Sequence, residues 1–109
     1  MFYQRHTDLI ALSRPVDSLV ADPMFDQAAR TAVARARVSR RVLERVIDVA
    51  GRKHDYVLQA TALARLARTV PDDASVQLRL AEALRVQGRL TEAEAIYARL
   101  TAADHGVQR

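Results

Sequence analysis

Displaced by 34 positions, the chain meets its own residues again: Val42 falls on Val76, Arg45 on Arg79, and the triplet Ala64-Arg65-Leu66 on Ala98-Arg99-Leu100. Val46/Leu80, Asp48/Glu82, Tyr56/Leu90 and Leu63/Tyr97 are similar pairs at the same displacement. A period of this length marks a repeated supersecondary unit, which buries its apolar face only by stacking on a neighbour.

The punctuation of the chain fits that period. Gly51 and Gly88 follow apolar-periodic stretches, where a residue without Cβ can take the left-handed conformation and stop a helix. Asp22-Pro23, Asp55 and Asp73 offer N-cap oxygens, with Asp72 beside the last of them. Thr91 and Glu94 have the spacing of a capping box. These signals predict helices over about 24–38, 39–50, 56–69, 74–87 and 91–103, with a shorter one over 4–13.

Within residues 74–107, Leu80, Ala81, Leu84, Gly88, Ala93, Tyr97 and Leu100 stand in the order large, small, large, glycine, alanine, aromatic, aliphatic. This pattern resembles the tetratricopeptide repeat, a helix-turn-helix unit of about 34 residues. Residues 40–73 keep Leu43, Val46, Tyr56, Leu63, Leu66 and Pro71 at the corresponding places. They depart at Ile47, His54 and Gln59, where small residues are usual; residues 74–107 depart at Gln77 and His105. The resemblance implies an all-α fold of antiparallel helix hairpins, an α-solenoid with a right-handed superhelix. It gives two repeats, 40–73 and 74–107, behind an N-terminal helical segment, 1–39, that is irregular or a degenerate repeat because Pro15 and Pro23 interrupt its first helix. Small residues at Ala81 and Ala93 would let paired helices approach closely, with Tyr97 and Leu100 filling the gap to the next helix.

In this family the first helix of each unit lines an inner surface. Here it would present Arg41, Glu44, Asp48 and Arg52 from one unit, and Ser75, Leu78, Arg79, Glu82, Arg85 and Val86 from the next. The resemblance therefore implies a non-enzymatic protein–protein interaction scaffold, a small chaperone or adaptor that takes a peptide or helix with both charges and an aliphatic anchor. Glu44 and Asp48 oppose the carboxylate-clamp mode of some family members, since acids repel a C-terminal carboxylate. After about residue 103 the sequence offers no capping helix, and Ala95, Ile96, Ala98 and Ala102 are expected to face outward. A homodimer, a small heteromer with a partner subunit, or a longer array would cover them.

Charge supplies the rival reading. The net charge is +4. Residues 30–53 hold eight basic and two acidic side chains, a local +6 that leaves −2 for the rest. An arginine-dense ARARVSRR suits phosphate contacts and an accessory role on nucleic acid, but no aromatic lies among those arginines to stack bases. Enzyme signatures are missing: His6, His54 and His105 are isolated, and neither a Gly-rich phosphate loop nor a nucleophile elbow occurs. No cofactor or metal is implied. Without cysteine the chain forms no disulfide. Arg5, His6 and Asp8 interrupt any signal-peptide core, and no run approaches the roughly 20 apolar residues of a membrane span, so a cytoplasmic location is expected.

Overall fold

The structure is a computed structural model that describes Leu12 and residues 14–107, the side chains of 103–107 apart. Six helices follow: α1 Val16–Ala21, α2 Phe25–Ala34, α3 Arg40–Arg52, α4 Tyr56–Thr69, α5 Ala74–Val86 and α6 Leu90–Val107. There is no strand among the described residues. The expected helix over 4–13 lies outside them, except for Leu12, which is helical and buried.

From Arg40 onward the helix limits repeat at the expected interval: α3 and α5 begin 34 residues apart, as do α4 and α6. Ser39 caps α3 by accepting the Val42 N–H at 3.2 Å, and Asp73, 34 residues on, caps α5 through the N–H groups of Ser75 and Val76. Asp55 caps α4 by accepting the Leu58 N–H. Each cap satisfies donors that have no partner within the helix.

The two hairpin turns share one hydrogen-bond pattern. After α5, the Gly88 N–H donates to the Arg85 carbonyl and the Arg89 N–H to that of Leu84, with Gly88 at φ 85. After α3, the His54 N–H donates to Gly51 and the Asp55 N–H to Ala50, with His54 at φ 58. Both are Schellman turns, offset by 34 residues. The glycine expected to stop α3, Gly51, instead lies inside the helix, and His54 takes the left-handed position.

Gly51 has a different role. A Cβ there would stand 2.7 Å from Gln59 Nε2, which donates to the Ile47 carbonyl at 3.3 Å. Ile47 and Gln59 correspond, at the 34-residue interval, to Ala81 and Ala93, both buried. Where the second hairpin packs alanine opposite alanine, the first fits a larger pair by removing a side chain one turn further along the helix.

Other limits differ from expectation. The helix predicted over 24–38 ends at Ala34, because Arg35 is extended and the chain runs on to the Ser39 cap. Asp22 Oδ1 accepts the Met24 N–H across Pro23, so it braces a turn, and α2 starts at Phe25. Pro15 precedes α1 and leads into it, since a missing N–H costs nothing at a helix start. Helix α6 begins at Leu90, one residue before the expected Thr91 cap, and Arg89 binds Glu92 there at 2.6 and 2.8 Å.

Successive helices from α3 to α6 pack against one another, α1 rests on α3, and α2 touches both α3 and α4. The buried side chains form one cluster from Leu12 to Ile96 that contains Leu43, Val46, Leu63, Leu66, Ala81, Leu84 and Ala93. Leu80, Tyr97 and Leu100 are half-buried against it, and Pro71 lies in the α4–α5 turn. The radius of gyration is 15.2 Å with extents of 51 × 26 × 20 Å, against about 13 Å for a compact domain of this length; the helices stack in a row. Among the described residues no helix is long and apolar enough to cross a membrane.

Two stability predictions follow from the first turn. Replacing His54 by Gly relieves left-handed strain of about 1–2 kcal/mol, more than the roughly 0.5–1 kcal/mol of added unfolded-state freedom, so thermal denaturation of His54→Gly shifts upward by a few degrees; a downward shift would contradict the left-handed assignment. In a double-mutant cycle, Gly51→Ala is more favourable by about 1 kcal/mol in a Gln59→Ala background than in the wild type, because helix propensity then acts without the Gln59 clash. Equal effects in both backgrounds would show that the two side chains do not meet.

Candidate functional site

At 100° per residue, Arg41, Glu44, Asp48 and Arg52 fall on the side of α3 away from its buried Val42, Leu43, Val46 and Ala50. On α5, Leu78, Glu82, Arg85 and Val86 fall likewise on the side away from Val76, Ala83 and Leu84. One interaction joins these two faces. Arg79 Nη1 donates to both carboxylate oxygens of Glu44 at 3.3 Å, and both side chains are about one-third exposed. This ion pair links α3 and α5 at one point.

Its charges are largely matched from within. Glu82 accepts from Arg85 at 2.9 Å and from the Tyr97 hydroxyl at 2.5 Å. Arg52 pairs with Asp17 of α1 at 2.9 Å. Arg41 and Asp48 are exposed and make no ion pair among the described residues. The apolar members are open to solvent: Leu78 is 47% and Val86 48% exposed. Exposed ion pairs such as these contribute little to stability.

Tyr97 has a polar task that sequence reasoning assigns only to packing. Its ring is half-buried against the core while its hydroxyl orients Glu82. That hydrogen bond, and after it the one from Arg85, holds the Glu82 carboxyl below the usual carboxylate range. The same contact raises the Tyr97 phenol, and the Glu82 hydrogen bond raises Arg85. Asp17 was likewise invisible as a contributor, because its partner Arg52 is 35 residues away. The one sequence clue is that a tyrosine, rather than leucine, follows α5 at that repeat position.

The basic stretch 30–53 is dispersed by the fold. Arg40 pairs with Asp73, Arg52 with Asp17, and Lys53 with Asp26, its ammonium standing 5.2 Å from the centroid of the Phe25 ring. Arg45 donates to the carbonyls of Leu12 and Arg14. His54 bonds to the Tyr56 hydroxyl at 3.0 Å. No group of three or more His, Cys, Asp or Glu among the described residues could hold a metal ion. Ile96, expected outward, is buried, which leaves Ala95, Ala98 and Ala102 exposed on α6.

Because folding lowers the Glu82 value, the stabilisation from its contacts is complete above the unfolded carboxylate value of about 4.3 and is lost as pH falls through the lower folded value. In Tyr97→Phe the Glu82 titration followed by carboxyl-carbon NMR moves upward, toward the ordinary range. An unchanged titration would show that the hydroxyl does not bind Glu82 in solution.

The tetratricopeptide repeat family model matches residues 59–109, from within α4 through α5 and α6. No curated protein and no solved structure matches the chain. The matched segment contains the Gly88 turn, the buried Ala81 and Ala93, and the half-buried Tyr97 and Leu100. Over residues 59–109, the chain is similar to the tetratricopeptide repeat family.

Proposed function

We propose that the protein is a non-enzymatic adaptor or small chaperone that docks a peptide or amphipathic helix across the joined faces of α3 and α5. The similarity of residues 59–109 to the tetratricopeptide repeat family supports a protein–protein interaction scaffold; the particular binding mode is our reading. In this reading residues 40–73 and 74–107 are two repeat units, with 1–39 an N-terminal helical segment.

The observation that carries it is the exposure of Leu78 and Val86, two turns apart on α5, beside charges already paired. An aliphatic anchor entering there loses water without stranding a charge, the economical form of helix-in-groove recognition. Arg41 and Asp48 at the α3 side supply one open charge of each sign for orientation. A carboxylate clamp does not fit, since Asp48 is acidic and Glu44 is engaged by Arg79. Self-association would use the exposed Ala95, Ala98 and Ala102 of α6, a separate surface.

The test compares wild type with Leu78→Glu in affinity purification from the native source, followed by Kd measurement on the captured partner. Burial of a leucine contributes about 1.5–3 kcal/mol, so the substitution weakens binding by roughly tenfold or more, with helical circular dichroism unchanged and capture insensitive to nuclease. Equal capture by both proteins would refute docking at α5, and loss on nuclease treatment would favour the nucleic-acid reading. Light scattering that rises with concentration and falls in Ala98→Glu would support self-association through α6; a constant monomeric mass would contradict it.

A further inference from the structure

A concave feature lies on the other side of α5. Leu80 and Leu84 project about half a helical turn away from Leu78, Glu82 and Arg85. They form part of a groove of about 1320 Å³ whose other walls are α2, α4 and α6. The floor is aliphatic, with Val33, Val57, Ala64, Leu80 and Ile96 among its residues, and Val57 is 65% exposed. Its volume exceeds the roughly 300–1,000 Å³ of small-molecule sites and suits a length of polypeptide.

The rim is strongly one-signed. Arg30, Arg65, Arg68, Arg89 and Arg99 line the groove, and among the described residues its only acid is Glu92, which is bonded to Arg89. Arg65 donates to the Ala36 carbonyl at 3.4 Å. Arg30, Arg68 and Arg99 have no acidic partner among the described residues and are exposed. Arg65 and Arg99 are the central residues of the recurring Ala-Arg-Leu triplets, so the 34-residue period itself sets arginines at equivalent places on α4 and α6.

We propose that this groove is a second docking site, which takes an acidic amphipathic segment of a partner protein. Aliphatic side chains of the segment rest on the Val57 and Leu80 floor while its carboxylates face Arg30, Arg68 and Arg99, an arrangement that steers encounter and fixes orientation. Nucleic acid fits less well, because among the described residues no aromatic side chain lines the groove to stack a base. A second copy of this chain carries the same +4 net charge, which opposes its entry.

The test uses fluorescence anisotropy with a labelled synthetic peptide of glutamate and leucine in helical spacing, its lysine-for-glutamate counterpart, and a labelled single-stranded oligonucleotide. The glutamate peptide binds, its affinity falls as salt rises, and Arg68→Glu or Arg99→Glu each weakens it by roughly tenfold, while Leu78→Glu leaves it unchanged. The lysine peptide does not bind. Absence of binding, equal binding of both peptides, insensitivity to both arginine substitutions, or tighter binding of the oligonucleotide would each overturn the proposal. Loss of peptide binding in Leu78→Glu would place the segment on the α3–α5 surface instead and also overturn it. Since Leu78 lies on that other surface, failure here leaves the first docking reading separately testable.

Discussion

Two left-handed turns hold the arrangement of this chain. At His54 and at Gly88 the backbone leaves a helix through the same pair of hydrogen bonds, and each time the next helix begins two residues later. A reversal this tight brings successive helices side by side and fixes which of their faces meet. The His54 turn pairs α3 with α4 and the turn at Val70–Asp73 returns the chain into α5, so Glu44 of α3 and Arg79 of α5 meet and pair across 35 residues of sequence. A glycine makes the second turn without strain. At the first, a histidine adopts the same conformation at a steric cost that the surrounding packing overrides.

The two hairpins reach a common geometry by different chemistry. In the α5–α6 pair, the alanines at 81 and 93 are both buried. In the α3–α4 pair the corresponding places hold isoleucine and glutamine; the amide turns to the Ile47 carbonyl, and the missing side chain of Gly51 leaves it room. The polar atom thereby enters the interface with a partner, which avoids the cost of burying it unsatisfied. The same division marks the surface. Charges on the α3–α5 side are mostly paired, with two aliphatic side chains left open, while the α4–α6 side carries arginines without matching acids.

How much of this is legible in the sequence depends on the range of the interaction. Asp55, Asp73 and Gly88 act on groups within five residues, so they place the limits of α4 and α5 and the second turn. Gly51 misleads because its partner Gln59 sits on the next helix, and His54 because nothing local distinguishes a left-handed histidine from any other. The six residues of α1 are too few for an apolar period, and Pro15 reads as a breaker although it stands just ahead of the helix. Of the expected site, Arg41, Glu44, Asp48, Arg52, Leu78, Arg79, Glu82 and Arg85 do lie on outward or half-exposed faces. Their pairing could not be read, since Glu44–Arg79, Arg52–Asp17 and Tyr97–Glu82 join different helices. The basic run 30–53 looks like one feature in sequence and is several in space, and the groove arginines come from three helices and the α5–α6 turn.

The fold depends on α5 being packed between α4 and α6, with equivalent left-handed turns closing the α3–α4 and α5–α6 hairpins. Solution NMR with methyl labelling tests this most directly. The account predicts methyl contacts from α5 to both α4 and α6, together with a strong intraresidue amide-to-Hα contact at His54, the signature of positive φ. Methyl contacts from α5 to only one neighbour, or helical sequential contacts running unbroken through His54 or Gly88, would contradict it.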